Sequence, residues 1–203
     1  MPTEVKTQLI HHLTSFSERT GKSFSSDEDL LLVSVRSGAK ISMPGMMDTI
    51  LNLGLNDDNV KKLADKTNDA RFAYDCYRRL LQMFGEVVYG IPMLEFDTYF
   101  DDFKNKHNYK NDADIPADGL QTICERFKEI YREEVYKPFP QEPLKQLEEA
   151  IEAVFKSWDN DRARVYRELN DIPHEIGTAF NVQELVICNS RALSVSGVAF
   201  KSI

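Results

Sequence analysis

The residues best suited to chemistry lie between Leu30 and Asn56, in the string LLLVSVRSGAKISMPGMMDTILNLGLN. A short apolar run, Leu30 to Val35, delivers a single arginine, Arg36, into a loop of small and permissive residues: Gly38, Ala39, Ser42, Pro44 and Gly45. A guanidinium at a strand end is suited to an anionic oxygen. Its fork makes charged, bidentate hydrogen bonds, and glycine lets backbone N–H groups come close to a ligand. The same loop carries Met43, Met46 and Met47, whose soft thioethers pack well on a flat, polarizable surface such as a purine. On residue types alone, an ion pair for Arg36 and ordinary packing for the methionines stay open beside a nucleotide site.

The elements that must position these residues follow from hydrophobic periodicity. Residues 3–20 read as an amphipathic helix (Val5, Leu9, Ile10, Leu13, Phe16) that stops at Gly21. Leu30 to Val35 reads as a strand buried on both faces. Met47 to Leu53 reads as a short helix or extended piece ended by Gly54. A further helix is expected over Asn56 to Lys66, with Asp57 and Asp58 favourable near its N-terminus.

From about 69 to 169 the pattern is helical, with four apolar faces. The first runs through Phe72, Cys76, Leu80, Met83, Phe84, Val87 and Val88. The second holds Met93, Phe96, Phe100 and Phe103, and the third Leu120, Ile123, Phe127 and Ile130. The fourth holds Leu144, Leu147, Ile151, Val154, Phe155 and Trp158. Aromatic stripes at helical spacing are read as core rather than as a cofactor box. Asn105 to Asp118 reads as a polar connection, and Phe139 to Pro143 as a turn placing proline in the first turn of a helix. Thr178 to Cys188 reads as a strand with which Val195 to Phe200 is expected to pair. The predicted fold is α+β and mostly α. A small α/β body from both chain ends (1–67 and 170–203) is interrupted by a helical insertion (68–169).

Composition removes several classes of function. The net charge of −8, with no basic cluster, argues against nucleic acid as main partner. No apolar run approaches the roughly 18 residues of a membrane span, and the N-terminus lacks a signal-peptide layout. Cys76, Cys124 and Cys188 are widely spaced without a CxxC pattern, which points to free thiols in a reducing, cytoplasmic compartment. His11 and His12 are consecutive on a helix and point in different directions, so they read as surface residues. Arg78, Arg79, Arg162, Arg164 and Arg167 read as charged helical faces, with Asp159, Asp161 and Glu168 as possible ion-pair partners and no chemistry assigned.

The literal strings carry a family resemblance. SVRSGAKISMPGMMDTILNLGLND (34–57), ARFAYDCYRRLLQMFGEVV (70–88), FPQEPLKQLEEAIEAVFKSWDNDRARVYRELNDIP (139–173) and GTAFNVQELV (177–186) resemble, in order and spacing, the nucleotide-binding domain of the pyruvate, phosphate dikinases. The resemblance covers nearly the whole chain after about residue 5. It implies an interior piece of an ATP-grasp domain bearing a helical subdomain. The family is a phosphotransferase that interconverts ATP, phosphate and pyruvate with AMP, pyrophosphate and phosphoenolpyruvate through a phosphohistidine.

By this resemblance Arg36 matches an arginine that contacts ATP phosphates and stands as the candidate catalytic residue. Lys40 stands where the family usually has arginine, keeping the charge but losing the fork. Met46 and Met47, with Met43, are expected near the nucleotide. Asp48 is expected to cap a following helix or orient Arg36. Glu184, Leu185 and Val186 match the stretch whose backbone reads the adenine edge, while Ile187 and Cys188 depart from the usual Phe-Gly. ATP and Mg2+ are the implied ligands, but no metal ligand is assigned: the phosphate-contacting lysine, the acidic metal ligands, the phosphohistidine and the pyruvate-binding barrel are expected outside this chain. Asn189 to Val195 strays from the family's glycine-rich turn, and the ending Lys201-Ser202-Ile203 departs further. Both suggest a truncated, split or frameshifted product. Such a chain is expected to be catalytically incomplete, with the remaining dikinase domains or a second copy as partners. The alternative is a non-catalytic helical interaction module or truncated gene product associating with a full-length or complementary polypeptide.

Overall fold

The computed structural model describes residues 1–24 and 29–187. Helix α1 (Thr3–Thr20) leads into strands β1 (Val33–Ser37) and β2 (Thr49–Leu53). Six helices follow: α2 (Asn59–Thr67), α3 (Ala70–Tyr89), α4 (Met93–His107), α5 (Ala117–Val135), α6 (Pro143–Lys156) and α7 (Asp161–Leu169). Strand β3 (Phe180–Glu184) returns to the sheet. The sheet is antiparallel in the order β2-β1-β3. The observed class is α+β and mostly α, as the periodicity predicts. No helix among the described residues is long and apolar enough to cross a membrane.

Several boundaries differ from the sequence expectation. The central strand begins at Val33 and runs through Arg36 to Ser37, because pairing to Thr49 on one side and Phe180 on the other holds those residues extended. Arg36 is therefore a strand residue, not a loop residue. Met47 to Leu53 resolves in favour of the extended alternative, since β2 pairs with β1 across a bulge with Asn52 at φ 62°. Helix α2 starts at Asn59, not Asn56. The Asn56 side chain accepts from Asn59 N (2.7 Å) and Asp58 N (3.1 Å), while Asp57 accepts from Lys128 Nζ (2.6 Å) and Tyr77 Oη (2.9 Å). Helix α4 continues to His107, into the segment read as a connection, and Trp158 lies on a 3-10 turn (Ser157–Asp159) beyond α6. The last strand is shorter than Thr178 to Cys188. Cys188 and the expected partner Val195 to Phe200 lie outside the described residues.

One contiguous core joins the sheet to the helices. Val33, Val35, Ile50 and Leu53 meet Leu147, Ile151 and Val154 of α6, while Phe84, Phe96, Phe127, Tyr131 and Phe139 stack edge-on between α3, α4 and α5. The aromatic stripes are core, as read. Phe155 differs: it is at the surface, edge-on to Phe180. Helix α6 is tied to the end of β2 by the buried amide of Gln146, which accepts from Gly54 N and donates to Leu55 O and Pro140 O.

Gly54 is required by two constraints at once. Its φ is +107°, and a Cβ there would stand 2.8 Å from Leu31 O and 3.0 Å from Phe24 Cδ1. Gly54→Ala is accordingly expected to destabilise the fold by about 2 kcal/mol, read as a lowered urea midpoint with unchanged slope.

Candidate functional site

In an antiparallel sheet, side chains alternate between faces and hydrogen-bonded pairs alternate along the ladder. The register pairs Val33 with Glu184, Val35 with Val182 and Ser37 with Phe180 on the face covered by α1 and α6. The opposite face carries Ser34 with Gln183 and Arg36 with Asn181, and extends past the strand to Leu32 and Leu185, where Leu185 N donates to Leu32 O at 2.9 Å. This face is graded. At one end Leu32 and Leu185, with Leu30, Leu63 and Ile187, line a pocket of about 320 Å³ rimmed by Lys22 and Lys66. In its middle are Ser34, whose Oγ donates to Gln183 O at 3.3 Å, and the exposed Gln183. At the other end is Arg36, exposed between Thr49 and Asn181.

Arg36 has no acidic partner among the described residues, and neither has the exposed Lys40. Two uncompensated cations so close in sequence are notable in a chain of net charge −8, because unpaired positive charge favours an anion from solvent. Gly38 is not a ligand donor: its N–H is already given to Ala179 O at 2.7 Å. A Cβ there would come within 3.0 Å of Asn181 Nδ2, the tip of an exposed side chain.

The methionines turn elsewhere. Met43 is buried against Trp158 and Ile172, and Ala39, Met46, Met47 and Tyr166 pack around that small cluster. Asp48 neither caps a helix nor touches Arg36. The next element is a strand, and the Asp48 carboxylate is ion-paired with Arg162. Arg162 Nε and Asn160 Nδ2 both donate to Met46 O, at 3.2 and 3.3 Å, and Asp48 N donates to Ser157 Oγ at 3.3 Å. The loop after Arg36 is thus fastened to the start of α7.

Beneath it lies an arginine read from sequence as a solvated charge. Arg167 is fully buried, with its guanidinium 4.1 Å from the Trp158 ring centroid. Nη1 donates to Trp158 O at 2.5 Å and Nε to His174 Nδ1 at 2.9 Å. Nη2 has no hydrogen bond and lies 3.9 Å from Asp159 Oδ1. Arg78 is also buried, held by Asp75 at 2.8 Å and lying over Phe100. Spacing carries no signal that separates these two from the exposed arginines beside them.

At the segment Glu184 to Val186, the Glu184 side chain is ion-paired with Lys22. Because Leu185 N bonds to Leu32 O just before β1, alternation turns the N–H and C=O of Glu184 to the strand's outer edge, while the Val186 side chain is exposed. Arg36 and Glu184 are three register positions apart, about 10 Å along the strands. The fold therefore brings Arg36 and Glu184 onto one pair of strands, with Leu185 and Val186 directly after β3. It leaves Lys40 exposed in the following loop and packs Met46 and Met47 against the Met43, Trp158 and Ile172 cluster.

Neither thiol among the described residues offers a nucleophile. Burial pushes Cys76 up to about 11 and Cys124 further still, so both stay protonated near neutrality. No group of three or more His, Cys, Asp or Glu side chains suited to a metal ion gathers among the described residues.

A mostly helical α+β domain with a small sheet, one face of which is graded from apolar to cationic, is the class that fold and site define. The family profile described as "Pyruvate phosphate dikinase, AMP/ATP-binding domain" matches residues 1–202. The chain is 51% identical over 198 residues to pyruvate, phosphate dikinase of Clostridium symbiosum, covering 97% of this chain and 23% of that protein. It is 50% identical to the Giardia intestinalis dikinase (98% and 22%) and 46% identical to the chloroplastic pyruvate, phosphate dikinase 1 of Arabidopsis thaliana (98% and 21%). The chain belongs to the pyruvate phosphate dikinase family and corresponds to its AMP/ATP-binding domain. It spans less than a quarter of the length of these relatives.

Proposed function

We propose that this chain binds the adenine nucleotide of a pyruvate, phosphate dikinase along the face of β1 and β3 that bears Arg36. In that reaction ATP, phosphate and pyruvate give AMP, pyrophosphate and phosphoenolpyruvate. The reading takes the face as part of an ATP-grasp site. The base rests at the apolar end, against Leu32 and Leu185, with the backbone of Glu184 to Val186 reading its edge. The phosphates extend toward Arg36, with Lys40 as a second cation and Met46 and Met47 behind the loop. Arg36 would offset charge on the transferring phosphoryl group and fix its orientation.

The observation that carries the reading is the exposed Arg36, without an acidic partner among the described residues, on the same two strands as Glu184. In this reading 1–67 with 170–203 form the nucleotide-binding body, and 68–169 the helical insertion. Magnesium would come with ATP as its counter-ion, and no step through it is assigned to the described residues. Cytoplasm is the proposed location. Phosphohistidine and pyruvate chemistry is proposed to reside in the other parts of the relatives' length, which are this chain's partners in catalysis.

The test is a calorimetric titration of the chain with ATP, with and without magnesium. Saturable one-site binding is expected, and no AMP should form when phosphate is added. A folded chain that gives no binding heat refutes the nucleotide reading, and AMP production refutes the assignment of the remaining chemistry to other segments.

A further inference from the structure

Arg36 is the middle of a row of three side chains that crosses the sheet. Its register partners are Thr49 on β2 and Asn181 on β3. Directly opposed residues of antiparallel strands carry their side chains on one face, and all three of these residues are exposed. On the β3 side the ladder fixes the geometry further. Gly38 N donates to Ala179 O and Leu185 N to Leu32 O, so Arg36 and Asn181 form a hydrogen-bonded pair of the same ladder, with Cα atoms about 5.5 Å apart.

The Asn181 amide is uncommitted: it has no hydrogen-bond partner among the described residues. Its place is defined all the same. A Cβ on Gly38 would stand 3.0 Å from its Nδ2 and 3.5 Å from its Cγ, so the amide lies over Gly38, just past Arg36 and away from Ser34. An amide NH2 beside a guanidinium adds a donor without adding a second positive charge to repel it. An anion with several oxygens can take both, the charged bond from Arg36 and the neutral one from Asn181. Strand β3 continues from Asn181 to Leu185, about 13 Å further on, which is the apolar end of the same face. Asn181 therefore lies on the line between the base and Arg36, and Thr49, on the other side of Arg36, lies off it.

We propose that Asn181 is a phosphate-binding residue of the nucleotide site, its Nδ2 donating to an oxygen of the phosphate chain that Arg36 holds. The proposal rests on the nucleotide reading of Arg36, and the experiment separates the two. Binding of magnesium ATP is measured by calorimetry at low and high salt on the wild-type chain and on Arg36→Ala, Asn181→Ala, Asn181→Asp and Thr49→Val. Urea denaturation of each variant reports whether the fold is kept.

Asn181→Ala is expected to weaken ATP binding about tenfold with an unchanged urea midpoint. Asn181→Asp keeps the size but sets a carboxylate beside the phosphates and beside Arg36. It should weaken binding about 30-fold at low salt and only about tenfold at high salt, a salt dependence that a purely structural role would not give. Thr49→Val should stay within about twofold of wild type. Asn181→Ala within about twofold of wild type, Asn181→Asp no weaker than Asn181→Ala at low salt, or Thr49→Val as weak as Asn181→Ala overturns the proposal. If Asn181→Ala does not fold, Asn181→Asp decides alone: a loss that salt relieves supports the proposal, and unchanged binding or a loss indifferent to salt overturns it. Wild type that binds no ATP, or Arg36→Ala that binds like wild type, overturns the nucleotide reading and this inference with it.

Discussion

Arg36→Ala is expected to weaken ATP binding roughly 30-fold with no measurable loss of fold stability. The size follows from the kind of contact. A guanidinium to a phosphate oxygen is a charge-assisted hydrogen bond, worth about 2 kcal/mol when lost to truncation. The absence of a stability cost follows from the surroundings: the side chain is exposed, has no acidic partner among the described residues, and makes its structural contribution through the backbone pairs with Thr49 and Asn181. Arg36→Lys should fall between the two, keeping the charge but not the bidentate geometry. Calorimetric titration gives the affinity and urea denaturation the stability. Equal affinities for wild type and Arg36→Ala would remove Arg36 from the site. A large stability loss would show the side chain to be structural.

Gln146→Leu is the substitution expected to cost most in stability, about 4 kcal/mol. Leucine nearly fills the space but makes none of the three amide bonds, so Gly54 N, Leu55 O and Pro140 O lose their partner in the interior. Each stranded group costs on the order of 1–3 kcal/mol because water cannot reach it. Gln146 is fully buried, and its partners lie at the exit from β2 and the entry to α6, so the damage should reach the packing of α6 on the sheet. Urea denaturation measures it. A loss below about 1 kcal/mol would mean that the three groups find other partners.

These two residues mark how far the sequence is legible. Arg36 could be picked out because an apolar run ending in arginine and glycines is a local pattern, and because the string around it carries the family resemblance. Gln146 could not. A glutamine between leucines on a helix looks like any polar neighbour of an apolar stripe, and only the approach of residues 54–55 turns it inward. Arg167 repeats the lesson, since its burial depends on Trp158 and His174 arriving from either side. Met46 and Met47 show the converse. Their chemistry suits a purine, but the nearest flat surface that the fold presents to this loop is Trp158. The strand boundary moved for a similar reason, as pairing partners and not composition hold Arg36 and Ser37 extended.

By itself the sequence determined the mostly helical α+β class, the four apolar helix faces and the family. Periodicity and long unusual strings are local properties that survive without contacts. Tertiary structure alone decided that Arg78 and Arg167 are buried while Arg36 is exposed, that Asp48 belongs to Arg162, and that Arg36 and Glu184 share one sheet. Burial, charge pairing and strand register are relations between distant segments, and the free energy of a charge is set by what the fold brings beside it.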